Sequence, residues 1–175
     1  MITYKLNIIN QLRILWFHLI TVLVVPILFL ISLTDSSLGN VLQATFIVYA
    51  WTLLPSLILY VQYMRVSIGV KLIVDDQQAI IRFITKRSNQ FFSMNDVMRI
   101  RKICTRPIAE KRSIWSGSDA FYYFLIELKG SERIIVTCFM SDLILLEIGD
   151  IRTEIEVKNF IVPIRWNDSK LLNLH

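Results

Sequence analysis

The sequence predicts a membrane protein of the α+β class, in which an N-terminal two-helix transmembrane hairpin is followed by an antiparallel β barrel or sandwich closed by a C-terminal helix. Two apolar stretches, Ile14–Leu33 and Val41–Met64, contain no Lys, Arg, Asp or Glu, although 19% of the 175 residues are charged. Short runs rich in Ile, Val, Phe and Tyr then alternate with turn signals, as in antiparallel β domains. A final apolar stripe at helical spacing predicts the closing helix.

The two uncharged stretches predict membrane spans. Each reaches the roughly 20 residues that cross about 30 Å of hydrocarbon. A charge in mid-bilayer costs about 2.5–3.5 kcal/mol on insertion scales, which explains why such stretches lack charged residues. A cleaved signal peptide has a shorter apolar core, and a buried hairpin of a soluble protein has a polar face. We therefore expect a hairpin over residues 1–65, with spans of about 14–33 and 41–64.

Basic residues at the ends of the spans predict the orientation of the hairpin. Lys5 and Arg13 precede the first span, Arg65 and Lys71 follow the second, and the connecting segment carries only Asp35. The positive-inside rule then predicts a multi-pass protein of the cytoplasmic (inner) membrane with both termini in the cytoplasm. Aromatic residues near the same ends predict an interfacial belt, and these are Trp16, Phe17, Tyr60 and Tyr63. Cytoplasmic thiols stay reduced, so no disulfide between Cys104 and Cys138 is expected.

The segment after the hairpin, residues 66–160, predicts a β domain. Asp75-Asp76-Gln77-Gln78 and Gly130-Ser131 are the two strong turn signals. The long segment from Arg106 to Asp119, with Pro107 and Gly117, is predicted to be a loop. Predicted strands lie on either side of these signals, at Val70–Val74, Ala79–Lys86, Gln90–Ser93, Met98–Thr105, Ala120–Lys129 and Glu132–Cys138.

A helix is predicted from Asp142 to about Val157, with Ser141 as its N-cap. Its apolar stripe consists of Leu143, Ile144, Ile148, Ile151 and Ile155. Because a set of short strands needs a cover for an open sheet face, this helix would close the barrel. Residues 161–175 are predicted to form a C-terminal tail. The aromatic run from Phe121 to Phe124 alternates along a strand, so two rings are expected in the core and two outside.

Three stretches of this chain resemble the bacterial pleckstrin-homology-like domains that follow two-span hairpins. They are KLIVDDQQAIIRF, FFSMNDVMRIRKI and FYYFLIELKGSERIIV, with the corner Ser93–Ile100 between strands. The resemblance implies a split β barrel with a C-terminal helix that serves as a binding or assembly module or accessory subunit and has no catalytic residues. The first turn, at Asp75, is acidic where phosphoinositide-binding relatives carry basic residues. The phosphoinositide role is therefore not carried over.

A concentration of positive charge marks the candidate partner or lipid patch. Residues 82–112 hold nine basic and two acidic residues, a net charge of +7, whereas residues 113–175 hold six basic and nine acidic residues, a net charge of −3. Near an anionic leaflet each basic residue contributes about 1 kcal/mol of attraction. A solvated sheet face is the alternative explanation. The nine candidates are Arg82, Lys86, Arg87, Arg99, Arg101, Lys102, Arg106, Lys111 and Arg112.

Catalytic, metal and cofactor motifs are not recognisable in the sequence. The two histidines are His18, inside the first span, and His175, the last residue, so neither is placed for acid–base work in the β domain. The five glycines are isolated, which excludes a phosphate loop or dinucleotide fingerprint. His18 is the candidate intramembrane polar site, with an interfacial role as the alternative. We expect no cofactor, no metal and no nucleic-acid partner.

These observations predict a non-enzymatic, membrane-anchored module that docks a partner protein at the inner leaflet. The expected partners are membrane lipids together with either a membrane protein or a second copy of the chain. An immunity protein that intercepts a membrane-active peptide and a sensor of anionic lipids are the alternatives. The sequence does not separate recognition by the hairpin from recognition by the β domain.

Overall fold

The computed structural model describes residues 1–32, 38–112, 117–140, 148, 151–159 and 162–164. Strand β1 (Ile2–Lys5) is followed by the long helices α1 (Ile8–Ser32) and α2 (Leu38–Ser67). The β domain continues with β2 (Lys71–Asp75), β3 (Ile80–Ile84), β4 (Asn89–Ser93), β5 (Val97–Thr105), the short helix α3 (Arg106–Ala109), β6 (Tyr123–Leu128), β7 (Arg133–Thr137) and β8 (Thr153–Lys158). Six of these strands, β2 to β7, occur where the sequence predicts them.

The strands form two four-stranded sheets. The first sheet has the order β1-β2-β3-β4 and is antiparallel throughout. The second has the order β7-β6-β5-β8, in which β8 runs parallel to β5. The buried face of the first sheet packs against one face of the second, around Leu72, Phe83, Ile100 and Ile126. This arrangement is a β sandwich.

Strand β1 was not predicted, and it changes the place of the hairpin in the fold. Its residues pair with β2, with Tyr4 opposite Leu72 and Lys5 opposite Lys71. The helical hairpin is thus inserted between two adjacent strands of one sheet, and it is not an N-terminal addition that ends at residue 65. Its two ends are held side by side, so both leave the same end of the sandwich.

The predicted turns and corner have the expected local chemistry. Gly130 and Ser131 both have positive φ, at 92° and 71°, as a tight β hairpin of this twist requires. At the corner between the sheets, the Ser93 hydroxyl accepts a hydrogen bond from the Asn95 N–H. The Asp96 carboxylate in turn accepts one from the Ser93 N–H. This capping box redirects the chain into β5.

The predicted closing helix is wrong over its second half. Residues Thr153–Lys158 form β8, which pairs with β5 from Ile100 to Thr105. The alternation of Thr153, Ile155 and Val157 with charged residues is a two-residue period, and these β-branched types favour a strand. Ile148 forms a bridge with Ile151. Ser141 to Glu147, where that helix was predicted to begin, lie outside the described residues.

A second apolar cluster covers the other face of the second sheet. The last turns of α2 pack there, with Leu59, Tyr63 and Val66 buried against Phe121 and Phe139. The aromatic run is therefore not split into inward and outward pairs as predicted. Phe121 and Tyr123 enter this second cluster, Phe124 enters the cluster between the sheets, and Tyr122 is partly buried beside both.

The helices agree with the predicted spans in position but extend further into the domain. Leu59 and Tyr63, which lie inside the predicted second span, are buried in the apolar cluster that α2 shares with the second sheet. Within the described part of the chain, a search for helices long and apolar enough to cross a membrane finds none. Val162 and Ile164, in the predicted tail, are buried in the same cluster. The predicted outside turn at Asp35 and the tail from 165 onward lie outside the described residues.

Candidate functional site

The two ends of the β sandwich differ in what connects the strands. One end, called here the hairpin end, contains the junctions of β1 and β2 with the helices, the β3–β4 turn and the segment after β5, which are residues 5–8, 67–71, 84–89 and 105–112. The opposite end, called the far end, contains the β2–β3, β4–β5 and β6–β7 connections, which are residues 75–79, 93–97 and 128–133.

These two ends carry opposite charge. The four hairpin-end segments named above hold seven basic residues and one acidic residue, a net charge of +6. The three far-end connections hold four acidic and two basic residues, a net charge of −2. The basic residues of the hairpin end are Lys5, Lys71, Lys86, Arg87, Arg106, Lys111 and Arg112. The separation of charge is therefore a property of the fold as well as of the sequence segment 82–112.

Helix α2 is fixed to the hairpin end by buried contacts. The hydroxyls of Ser67 and Thr137 lie 2.6 Å apart, and Ser67 also donates to the Tyr63 carbonyl at 2.7 Å. The Tyr63 ring meets Phe121 edge-on, with centroids 5.1 Å apart. Just before α1, the Asn7 N–H donates to the Phe139 carbonyl at 2.9 Å. The hairpin therefore leaves the domain in a defined direction.

The β3–β4 turn presents two of the predicted patch residues. The Thr85 hydroxyl accepts hydrogen bonds from the N–H groups of Arg87 and Ser88, which holds the turn closed. Lys86 and Arg87 are exposed, and neither forms an ion pair with any described residue. The Lys86 stem lies against Gly69, at the junction of α2 with β2. This turn therefore places two exposed cations beside the base of the hairpin.

The segment after β5 presents three more predicted patch residues. Arg106 and Arg112 both pair with Glu110, at 2.7 and 2.8 Å, and all three side chains reach solvent. The hydrogen bond from Arg106 lowers the pKa of the Glu110 carboxyl. Lys111 adopts a left-handed backbone with φ of 54° and is exposed. The segment keeps a net charge of +2 after its internal pairing.

Two predicted patch residues are neutralised on the second sheet. Arg99 binds Glu154 through both Nε and a terminal nitrogen. Arg101 binds Glu127 at 2.6 Å and Glu156 at 2.9 Å. Two of these acids lie on β8, which the sequence assigned to a helix. The predicted patch is therefore not one continuous cationic surface.

Lys102 and Arg82 have separate environments. Lys102 is buried on β5 with its ammonium 4.5 Å from the centre of the Tyr122 ring, and burial lowers its pKa. Its ammonium is therefore not a surface contact. Arg82 lies on the outer face of the first sheet, where it stacks over Phe91 at 5.2 Å and donates to Asn89. Phe91 is 62% exposed on β4, an edge strand of that sheet.

Sequence reasoning missed Lys5 and Lys71 as members of the basic end. They face each other across β1 and β2. Without β1 there was no signal that Lys5 belongs to the domain.

The backbone of His18 lies within α1, and its side chain is outside the described part. Among the described residues, no three His, Cys, Asp or Glu side chains are grouped so that they could hold a metal ion.

Comparison with protein families gives one match. The family model described as PH domain matches residues 3–147. The chain belongs to the PH domain family. The match begins in β1 and runs through both helices, in agreement with a hairpin inserted inside the PH domain. Searches among curated proteins and among solved structures find no match.

PH domains commonly mediate binding to lipids or to proteins. The matched residues include the strands from β1 to β7, with the hairpin leaving between the first two, and β8 follows the match. A plain β meander joins its first two strands by a turn, whereas in this PH domain the helices Ile8–Ser32 and Leu38–Ser67 lie between them. Any ligand approaching the hairpin end meets both the helices and the basic residues around them.

Proposed function

We propose that this chain is a non-enzymatic binding module that is anchored in the cytoplasmic membrane by its helical hairpin. Its PH domain is held with the basic hairpin end toward the anionic inner leaflet and docks a partner protein there. The observation that carries the proposal is the coincidence of two features at one end of the sandwich. The hairpin leaves from the same end whose four connecting segments hold a net charge of +6.

The length of the helices beyond the domain supports the anchor. The outermost hairpin residues in the domain core are Ile14 on α1 and Leu59 on α2. Beyond them lie residues 15–32 and 38–58, which at about 1.5 Å per residue extend about 27 and 31 Å. These lengths are close to the roughly 30 Å of the hydrocarbon layer. The absence of charge from Ile14–Leu33 and Val41–Met64 in the complete sequence agrees with this anchor.

The pairing of β1 with β2 supports a topology in which both ends of the hairpin lie on the same side of the membrane. Because Lys5 and Lys71 lie opposite each other, α1 begins at the same level of the domain as that at which α2 ends. A hairpin that crosses the bilayer twice therefore returns the chain to the side from which it left. The positive charges on that side follow the rule for cytoplasmic segments.

Attraction between the basic end and anionic lipid supports the orientation of the domain. Each basic residue near an anionic surface contributes about 1 kcal/mol, and the attraction decays over a Debye length of about 8 Å at physiological salt. The three far-end connections, with net charge −2, are repelled by the same surface. Both effects turn the hairpin end toward the leaflet.

The outer face of the first sheet supports the docking of a protein. Phe91 is exposed on an edge strand, Arg82 stacks on it, and Ile80 lies beside them on the same face. Aromatic residues and Arg are enriched in interfaces, and edge strands offer free backbone groups for pairing. This face is directed sideways, away from the second sheet. It therefore stays accessible while the hairpin end faces the bilayer.

Topology is tested with single engineered cysteines in sealed vesicles, since Cys104 and Cys138 are buried. Ser36→Cys, in the predicted outside turn, and Gln78→Cys, at the far end, are labelled with a membrane-impermeant maleimide. Labelling of the two positions from opposite sides is the expected result. Labelling of both from one side refutes the anchor.

Orientation is tested by quenching of a fluorophore with headgroup-labelled lipid. A label at Asn89→Cys, at the hairpin end, should be quenched more than one at Gln78→Cys, and more strongly with anionic lipid at low salt. The pair Lys86→Glu and Arg87→Glu should remove the dependence on anionic lipid. The matched pair Lys129→Glu and Arg133→Glu, at the far end, should not. Equal behaviour of the two pairs refutes the orientation.

Docking is tested by cross-linking and purification of the complete chain in mild detergent. Phe91→Ala should lose the partner, whereas Met98→Ala, which removes an equally exposed apolar side chain of the second sheet, should keep it. If no protein is recovered with either form while anionic lipid binding persists, the module senses lipid and does not dock a protein.

A further inference from the structure

Strand β4 (Asn89–Ser93) lacks the features by which edge strands usually avoid pairing with other chains. It is the last strand in the order of the first sheet, and within the described residues only β3 pairs with it. Native edge strands are usually protected by charged side chains, by proline or by a bulge. The sequence of β4 is NQFFS, without charge or proline, and its register with β3 is regular throughout. This edge is therefore open to a further strand.

The ladder between β3 and β4 fixes which backbone groups face the open edge. Beyond one end of the ladder, the Thr85 N–H donates to the Ser88 carbonyl. Beyond the other end, the Met94 N–H donates to the Ala79 carbonyl. Because hydrogen-bonded and non-hydrogen-bonded pairs alternate along an antiparallel ladder, the even-numbered residues of β4 bond to β3. The odd-numbered residues direct their N–H and C=O groups outward.

The outward groups belong to Asn89, Phe91 and Ser93. The Ser93 N–H donates to the carboxylate of Asp96, which agrees with its outward direction. Among the described residues, the backbone groups of Asn89 and Phe91 have no hydrogen-bond partner. These two residues therefore present two donors and two acceptors, which is the pattern that a neighbouring antiparallel strand pairs with.

The side chains of β4 provide recognition on both faces of the edge. On the outer face, the Phe91 ring is 62% exposed and Arg82 lies over it at 5.2 Å. On the inner face, the side-chain oxygen of Gln90, opposite Phe83 in the ladder, is buried and accepts no hydrogen bond from the described residues. A buried acceptor without a donor is unfavourable. A neighbouring strand would thus meet an aromatic ring on one face and an unused acceptor on the other.

The two ends of β4 differ in charge. Lys86 and Arg87 are exposed in the turn that precedes β4, and Asp96 lies in the corner that follows it. The five residues of β4 extend about 16 Å, which is about twice the Debye length at physiological salt. Each end therefore acts separately on a segment that lies along the edge, and together they favour one direction of that segment.

We infer that β4 accepts an extended segment of the partner protein as an antiparallel strand added to the first sheet. The first sheet is antiparallel throughout, and antiparallel pairing is the more stable per residue. The segment has basic side chains toward its amino end, beside Asp96, and acidic ones toward its carboxyl end, beside Lys86 and Arg87. Between them it has an apolar side chain beside Phe91 and a donor beside Gln90. The pairing rests on the docking proposed above and describes how the partner is held.

A second copy of the chain does not fit this edge when both copies are anchored in one membrane. The strands run between the hairpin end and the far end. Antiparallel pairing of β4 with its copy would therefore point the two hairpins in opposite directions. Parallel pairing would place Lys86 and Arg87 beside the same residues of the copy, and like charges in such positions repel. The occupant is therefore a segment of a different protein.

Two synthetic peptides with blocked ends test the pairing on the complete chain in mild detergent. KKTVFNTEE has the stated pattern, and EETVFNTKK has the same composition with its charges exchanged. At about 1 mM, which suits the weak binding of a short flexible segment, KKTVFNTEE should slow hydrogen exchange of the Asn89 and Phe91 amides. The Gln90 and Phe92 amides should exchange slowly with or without peptide. EETVFNTKK should bind about fivefold more weakly at low salt.

Three outcomes of this measurement overturn the inference. They are no slowing of the Asn89 and Phe91 amides by either peptide, equal binding of both peptides, and slow exchange of these amides before any peptide is added. In the last case a mass of twice the chain mass of 20.5 kDa would identify the occupant as a second copy.

Removal of one outward N–H gives a second test. Asn89→Pro removes an N–H that faces the open edge and leaves the ladder with β3, since proline is tolerated at such positions of edge strands. It should weaken binding of KKTVFNTEE by about fivefold or more. Asn89→Ala is the matched control, because it removes the same side chain, including the acceptor for Arg82, and keeps the N–H. Equal binding by the two variants contradicts the pairing.

Folding of both variants is checked from protection of the buried Cys104 and Cys138 thiols. If Asn89→Pro fails this check, the comparison of the two peptides on the unaltered chain decides.

Failure of the strand pairing and failure of the docking are distinguishable. If Asn89→Pro keeps the partner protein that Phe91→Ala loses, docking through the outer face holds and the strand pairing is wrong. If Phe91→Ala keeps that partner while KKTVFNTEE still slows exchange at the Asn89 amide, the strand pairing holds and the docking face is wrong.

Discussion

The Tyr63 hydroxyl donates a hydrogen bond of 2.9 Å to the Val162 carbonyl, and both residues are fully buried. This bond joins the last turns of α2 to the C-terminal segment, which are 99 residues apart. The hairpin, the second sheet and the C-terminal segment therefore share one core. Loss of any contact in this cluster should therefore lower the stability of the whole domain.

Tyr63→Phe should lower the free energy of unfolding by about 1–3 kcal/mol, because it leaves a buried carbonyl without its donor. Tyr60→Phe is the matched control. Its hydroxyl donates to Gln11 at 3.2 Å in a partly buried site, so the loss should be smaller. Denaturant unfolding in one detergent measures both. Equal losses would show that the bond to Val162 contributes nothing specific.

The buried hydroxyl pair Ser67 and Thr137 should show coupling in a double-mutant cycle. Ser67 donates to the Tyr63 carbonyl, so Thr137 donates to Ser67 across 2.6 Å. Ser67→Ala and Thr137→Val should each cost about 1 kcal/mol, and the double variant should cost less than their sum. Additive losses would mean that the end of α2 and the end of β7 are not energetically connected.

Gly69→Ala should destabilise the protein by about 1 kcal/mol or more. Gly69 has φ of +75° after the end of α2, where a residue with a side chain is strained, and a Cβ there would approach Lys86 Cγ to 2.6 Å. Gly130→Ala is a control with φ of +92° and open space around its Cβ. The difference between the two variants measures displacement of Lys86 from the junction. A larger loss for Gly130→Ala would contradict this assignment.

The sequence predicts six strands and both helices because each has a long uniform pattern or flanking turn signals. Strand β1 is not predicted because its four residues, Ile2–Lys5, are too few to show a period. They contribute to the fold through their pairing with β2. Strand β8 is not predicted because two patterns overlap in its sequence. Ile148, Ile151 and Ile155 fit a helical period, while Thr153, Ile155 and Val157 fit a strand. The pairing of β8 with the parallel strand β5, which is distant in the sequence, decides between helix and strand. The local pattern contains no information about that pairing.

The candidate patch is predicted only in part, for the same reason. Sequence proximity groups Arg99 and Arg101 with Lys86 and Arg87, since all lie within 82–112. Pairing with β8 brings glutamates to Arg99 and Arg101, whereas Lys86 and Arg87 form no ion pair with the described residues. Lys5 joins the basic end through β1. Which charges remain available for a ligand is therefore decided by strand order.

Cys138 should not react with thiol reagents in the folded protein. Burial raises the pKa of its thiol to about 12, so the thiolate is scarce at pH 8. Burial also raises the pKa of Cys104. Labelling by iodoacetamide at pH 8 should begin only as the protein unfolds in denaturant. Rapid labelling of Cys138 without denaturant would show that the second apolar cluster opens readily.

Attachment of β8 should weaken as pH falls through the acidic range. A hydrogen bond from Lys158, followed by the charges of Lys158 and Arg101, lowers the pKa of the Glu156 carboxyl below the usual value of about 4.3. A carboxyl whose pKa is lower in the folded state stabilises the fold above the unfolded pKa, and this contribution is lost as pH falls through the folded pKa. Glu156→Gln should therefore be less stable than the unaltered protein at pH 7, with the difference shrinking below about pH 4.3. The free energy of unfolding measured from pH 7 to pH 3 checks this.

Glu132→Gln, at the far end, is the control and should show a smaller change. A difference that stays constant across this range would exclude the Glu156 charge as the cause.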